Sequence, residues 1–108
     1  MFENDFFKGS LEAEFQLRGI AHHLEPIISV SEKGLTHGVV SEVERALSDH
    51  ELIKVKINVL DREVRRETCE KLCLQAKATP VQRIGKVIVM YRENPEAKPK
   101  LSNVARFS

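Results

Sequence analysis

Lys33 stands in the stretch Ser31-Glu32-Lys33-Gly34, between an apolar run, Pro26 to Val30, and an amphipathic one that begins near Thr36. Such a loop leads from a strand into a helix. The first-turn N–H groups of a helix lack intrahelical partners and carry the positive end of its dipole, so they favour an anion. Lys33 adds a full positive charge and three donors. The chemistry on offer is a phosphate clamp; the plainer alternative is an ordinary βα loop with a solvated lysine. Lys54 and Lys56 form the next pair. In the alternating run Leu52-Ile53-Lys54-Val55-Lys56-Ile57 they share one face, because side chains two apart on a strand point the same way. They suit a stripe that tracks phosphates, and equally an edge strand guarded by lysines against aggregation. Arg83, Lys86 and Arg92 flank the last two apolar runs and would extend the same surface. Their spacing does not show whether they converge with Lys54.

Other reactive residue types point less far. Arg62, Arg65 and Arg66 open a helical stretch, where positive charge opposes the dipole and hints at an anionic partner; pairing with Glu63, Glu67 and Glu70 is the favoured reading. Four histidines (His22, His23, His37, His50) and two cysteines (Cys69, Cys73) invite a metal, yet no close Cys-x-x-Cys or His-x-x-x-His pair supports one. The cysteines read as core filler, and no metal or other cofactor is expected. Tyr91, the single tyrosine, reads as strand packing, so no aromatic pair offers a stacking platform for bases. There is no nucleophile elbow, Walker loop or dinucleotide fingerprint, so binding without catalysis is expected. A small thiol enzyme using Cys69 is the enzymatic alternative, and it would need a depressed thiolate pKa.

These residues need elements to hold them. Ser10 is a suitable N-cap for a first helix, with Leu11, Phe15, Leu17, Arg18 and Ala21 on one face. Pro26 to Val30 reads as a short buried strand. Leu35, Val39, Val43, Ala46 and Leu47 give residues 36–48 a helical period, with Thr36 as a cap. Residues 52–57 are a half-buried strand. Asp61 caps a third helix, whose inner face is Val64, Thr68, Leu72 and Ala76. Residues 79–84 and 87–92 are strands joined by Gly85-Lys86, an antiparallel hairpin. The α-β-α-β-α-β-β order favours parallel pairing with one antiparallel addition, an α/β fold with a four-stranded mixed sheet. Residues 1–9, acidic and rich in Phe, read as a partly disordered leader. Residues 10–93 read as the domain, and 94–108 as a flexible basic tail.

Composition sets the outer limits. A chain of 108 residues, 42% hydrophobic and 31% charged, suits one globular domain. No apolar run reaches the roughly 20 residues of a membrane span, and no secretory signal opens the chain, so the cytosol is the expected location. The net charge of +1 conceals a division. Residues 1–17 hold four acids and one base, and the remainder holds sixteen bases and twelve acids. A modestly basic body permits a nucleic-acid partner without demanding one.

Four strings in order carry a resemblance: Leu17-Arg18-Gly19-Ile20-Ala21-His22 with Leu24 to Ile28; Lys33-Gly34-Leu35-Thr36-His37-Gly38-Val39-Val40; Glu51 to Ile57; and Gly85 to Arg92. From about Leu11 to Arg92 the chain resembles the YhbY-type, single-domain bacterial form of the CRM domain (chloroplast RNA splicing and ribosome maturation). The resemblance implies an RNA-binding module with an α/β sandwich similar to the C-terminal domain of translation initiation factor three. It implies structured ribosomal RNA of large-subunit precursors as the partner, with no small-molecule substrate. It also implies a Gly-x-x-Gly loop after the first strand. Here that loop is Ser31, Glu32, Lys33 and Gly34, with serine in the first glycine's place. Loop binding weaker by about 1–2 kcal/mol is expected, the scale of a lost charge-assisted hydrogen bond. Glu32 and Glu25 add negative charge near the site. The expected RNA-binding set is Arg18, His22, Ser31, Glu32, Lys33, Gly34, Thr36, Lys54, Lys56, Arg83, Lys86 and Arg92. The competing expectation is an adaptor that docks on a ribosomal protein or assembly factor, with RNA contact incidental.

Overall fold

The structure is a computed structural model and describes residues 11–107. The expected leader, residues 1–9, lies outside the described residues. The elements run α1 (Leu11–Ala21), β1 (Pro26–Val30), α2 (His37–His50), β2 (Leu52–Ile57), α3 (Arg62–Gln75), β3 (Thr79–Ile84), β4 (Val87–Tyr91) and α4 (Asn103–Phe107). The α/β order expected from periodicity is present, with one short helix added at its end. Two of the three proposed caps form, and the third, Ser10, lies outside the described residues. Thr36 accepts from Val39 N–H at 3.2 Å, and Asp61 accepts from Glu63 and Val64 N–H, both at 2.9 Å. Each cap satisfies donors that the first turn leaves orphaned, typically worth about 1 kcal/mol.

The sheet is mixed, in the order β1-β2-β4-β3. β1 pairs parallel with β2, while β4 pairs antiparallel with both β2 and β3. β2 is therefore a central strand, not an edge. One face of the sheet carries Ile28, Val30, Ile53, Val55, Ile57, Ile88 and Met90, covered by Val43 and Leu47 of α2 and by Cys69, Leu72 and Cys73 of α3. The other face carries Leu52, Val81 and Val89, which pack against Leu17 and Ala21 of α1 and Val104 of α4. Leu52 and Ile53 are adjacent and both fully buried, because each enters a different core.

Two helix faces differ from the sequence reading. The inner face of α3 is Cys69, Leu72, Cys73 and Ala76, whereas Val64 is exposed and Thr68 returns its hydroxyl to the Val64 carbonyl. In α1 Leu17 and Ala21 are buried, but Phe15 is 78% exposed. A buried carboxylate, Glu14, takes Phe15's expected inward place and pairs with Arg18 at 2.5 Å.

Residues 94–107, within the expected flexible tail, make defined contacts with the domain. Glu51, the C-cap of α2, holds a left-handed backbone (φ 63°). Its carboxylate accepts from Asn94 N–H and from the Ser102 hydroxyl, both at 2.6 Å. Asn94 donates to the Ser48 carbonyl, His50 Nδ1 donates to the Leu101 carbonyl, and Asn103 donates to the Leu52 carbonyl. Asn94, Pro95, Pro99 and Ser102 break any period here, and polar side chains make the contacts of this segment. A second tie is Arg92, whose guanidinium donates to the Ala76 carbonyl (2.7 Å), the Glu44 carbonyl (3.0 Å) and Ser48 Oγ (2.9 Å). It joins the ends of α2, α3 and β4.

Two measurements test these ties. Arg92→Ala should lower stability by about 2 kcal/mol, since charged hydrogen bonds are lost and buried carbonyls are left bare. Thermal melting should show a fall of roughly 10 °C. Glu51→Gly relieves the left-handed strain of about 1 kcal/mol yet cuts both carboxylate bonds, so the sign decides between them. The expected result is net destabilisation, with faster tryptic cleavage at Lys98 and Lys100; a more stable, equally resistant variant would refute the tie.

Candidate nucleic-acid interface

The loop after β1 is a compact turn. Gly34 N–H donates to the Ser31 carbonyl at 2.9 Å, and Lys33 N–H donates to Ser31 Oγ at 3.3 Å. Gly34 has φ +85°, a conformation that disfavours any side chain, so the second glycine has a backbone reason to be glycine. Ser31 is not among the residues with positive φ. A serine therefore fits the first position without strain, and its hydroxyl closes the turn. The same hydroxyl occupies the Lys33 amide, which leaves the Lys33 side chain, exposed to solvent, as the loop's principal donor.

The Glu32 carboxylate is held in place by one hydrogen bond. Its Oε2 accepts from Leu60 N–H at 3.0 Å, which ties this loop to the one after β2. β1 and β2 are parallel, so both loops leave the same end of the sheet. Ligands commonly meet α/β sheets outside the carboxyl ends of parallel strands.

Register places the cations. Lys56 lies opposite Ser29 on one side and Val87 on the other. The Lys86 carbonyl accepts from Ile57 N–H at 2.6 Å, and the Val30 carbonyl accepts from Asn58 N–H at 2.7 Å. Lys56, Lys86 and the Ser31–Gly34 loop thus gather at one end of the sheet. Lys54 is two residues back on the same strand face, in a groove of about 340 Å³ lined also by Arg18, His22, Gln82 and Ile84. Thr36 is spent as the cap described above. Arg18 contributes to that groove while paired with Glu14, so its net field is small.

Two expected members fall elsewhere. Arg83 lies opposite Ile88, whose side chain enters the α2/α3 core, so it occupies the other face of the sheet. There it acts on Cys69 and Glu63 of α3. Arg92 lies beyond the opposite end of the sheet, beside the Leu52–Tyr91 pair, with its donors committed to carbonyls. Alternation in an isolated strand could not reveal either placement. Tyr91 packs against the smaller core, and burial pushes its hydroxyl pKa up.

The remaining polar residues have structural partners. Arg66 pairs with Glu63 and with Glu70, and its guanidinium holds the Glu63 carboxyl below the usual range. Arg65 donates to the carbonyls of Val59 and Leu60. The thiol reading fails on electrostatics. Burial raises the Cys69 pKa and pushes that of Cys73 up to about 12, the reverse of an activated thiolate. Among the described residues no cluster of His, Cys, Asp and Glu is grouped to hold a metal ion, and no helix is long and apolar enough to cross a membrane. Sequence reasoning gave no site role to Arg106. It arrives on α4 at a groove that it shares with Lys54 and Ile27, and its only signal was a basic residue near the chain's end.

Comparison with known proteins gives this geometry a setting. The family model for the CRS1 / YhbY (CRM) domain matches residues 11–92. A probable RNA-binding protein of Pseudomonas aeruginosa is 48% identical over 97 residues, covering 90% of this chain and 93% of that one. An RNA-binding protein of Haemophilus influenzae is 46% identical over 85 residues, covering 79% and 86%. The solution structure of a hypothetical protein of Staphylococcus aureus, described as a candidate RNA binder, superposes with a TM-score of 0.71 at 31% identity, covering 81% of this chain and 91% of that one. The fold, the order of elements and the matched span agree: the chain belongs to the CRS1/YhbY (CRM) domain family.

Proposed function

We propose that this protein binds structured ribosomal RNA in the cytosol during assembly of the large ribosomal subunit. The observation that carries the reading is the grouping of Lys33, Lys56 and Lys86 at one end of the sheet, beside a turn closed by Ser31 and Gly34, with Lys54 on the same strand face as Lys56. Its relatives in P. aeruginosa and H. influenzae are named for RNA binding, and the family resemblance points to large-subunit precursors. The mechanism is docking, with no turnover. A phosphate sits at the Lys33 side chain and the unpaired first-turn amides of α2, and the lysines of β2 and the β3–β4 turn supply the surrounding field. Serine in place of the first loop glycine keeps the turn's shape and removes one amide from contact. Arg83 and Arg92 have no part in the interface.

The field makes the affinity depend on salt. With about five phosphates contacted, a fourfold rise in salt should weaken binding to a ribosomal RNA fragment by roughly 100-fold, measured by filter binding or anisotropy. A flat response would remove the electrostatic mechanism. Lys33→Glu should weaken binding by about tenfold while leaving the melting temperature unchanged, since the lysine head makes no internal contact. Equal affinity in that variant would take the loop out of the site. A pull-down of ribosomal proteins that survives nuclease treatment, with no binding to purified RNA, would favour the adaptor instead.

A further inference from the structure

The matched family domain ends at Arg92, but the chain continues and builds one more wall on the open face of the sheet. The C-terminal segment sets α4 against α1 and β2, and across from β1 it lines a groove of about 220 Å³. Leu24 and Ile27 give this groove an apolar floor, and Lys54 and Arg106 bring positive charge to it. Among the described residues neither cation has a carboxylate partner, and the Arg106 guanidinium lies 5.2 Å from the centre of the Phe107 ring. The other polar residues of the groove are acceptors. His50 donates from Nδ1 to the Leu101 carbonyl, and the tautomer that makes this bond without carrying charge has Nε2 as an acceptor. Asn103 donates its Nδ2 to the Leu52 carbonyl, which leaves Oδ1. Glu25 adds an exposed carboxylate.

A bare phosphate does not fit this set, because Glu25 would repel it. A purely apolar ligand would leave the acceptors and cations unanswered. The combination suits a ligand with a flat apolar body, an edge of N–H donors and an attached anion. We propose that the groove between β1 and α4 is a single-nucleotide subsite of the RNA-binding surface. In it a guanine base lies on Leu24 and Ile27, offers its N–H edge to Glu25, His50 and Asn103, and directs its phosphate to Lys54 and Arg106. The subsite rests on the RNA-binding reading above and adds base preference to it. Guanine presents two adjacent kinds of N–H donor on its pairing edge, whereas uracil presents one. Single-stranded loops expose such edges, while paired stems hide them.

The test uses the full chain and two labelled RNA hairpins with identical stems. One carries a loop of uridines, the other the same loop with one central guanosine. Wild-type protein should favour the guanosine loop by about tenfold, the scale of one well-formed pair of hydrogen bonds to a base. Glu25→Ala should bring the two hairpins to within about twofold of each other. Arg106→Ala should weaken the guanosine hairpin by roughly fivefold with an unchanged melting temperature, since Arg106 is exposed and its guanidinium lies over the exposed Phe107 ring. Equal binding of both hairpins by the wild type, or a guanosine preference that survives Glu25→Ala, overturns the subsite and leaves the loop mechanism standing. Failure of the wild type to bind either hairpin overturns the RNA-binding reading and the subsite together.

Discussion

Alternation along β2 is the constraint on which the rest of the molecule depends. Six residues must serve two cores and one open surface. Ile53, Val55 and Ile57 enter the larger core under α2 and α3, while Leu52 enters the smaller core under α1. Lys54 and Lys56 fall on the α1 side, so α1 must stop short of them. A shift of one residue in register would bury both lysines and expose three β-branched side chains. The cost of burying unpaired charge makes that alternative inaccessible. The site is thus a consequence of packing: α1 sets Leu17 and Ala21 on Leu52, Val81 and Val89 and leaves the ends of Lys54 and Lys56 uncovered.

Parallel pairing then determines where the open surface leads. β1 and β2 end together, and their loops are joined by the bond from Leu60 N–H to Glu32. That bond fixes the Glu32 side chain between the two loops, where its carboxylate keeps its charge next to Lys33. Elsewhere acids are paired with bases. Glu63 and Glu70 hold Arg66 on α3, and Glu14 holds Arg18 on α1. Lys33, Lys56 and Lys86, at one end of the sheet, have no carboxylate partner among the described residues and give a chain of almost neutral net charge a local positive field there.

The opposite end of the sheet is built for cohesion. Arg92 and Glu51 are the two polar hubs there, and both work through backbone groups that element ends leave without partners. Glu51 holds a strained backbone because three later residues depend on it: Arg92 through its carbonyl, and Asn94 and Ser102 through its carboxylate. The result is a C-terminal segment that lies on the domain, with Val104 in the smaller core. The loops after β1 and β2 and the ties of the C-terminal segment thus lie toward opposite ends of the strands, and the groove beside α4 borders the tied end.

The sequence by itself determined the local pieces. Periods of 3.6 and 2 placed the helices and strands, hydroxyl and carboxyl caps marked the starts of α2 and α3, and four strings in order indicated the family. Those signals are legible because they depend on neighbours within a few residues. Only the tertiary structure decided that β4 sits between β2 and β3, that Arg83 faces α3, and that Arg92 is consumed by carbonyls. It alone docked the last fourteen described residues and brought Arg106 beside Lys54. Each of these outcomes is a contact between residues far apart in the chain. Such contacts leave no period behind: a guanidinium reads the same in sequence whether it meets a carbonyl of its own chain or waits for a phosphate.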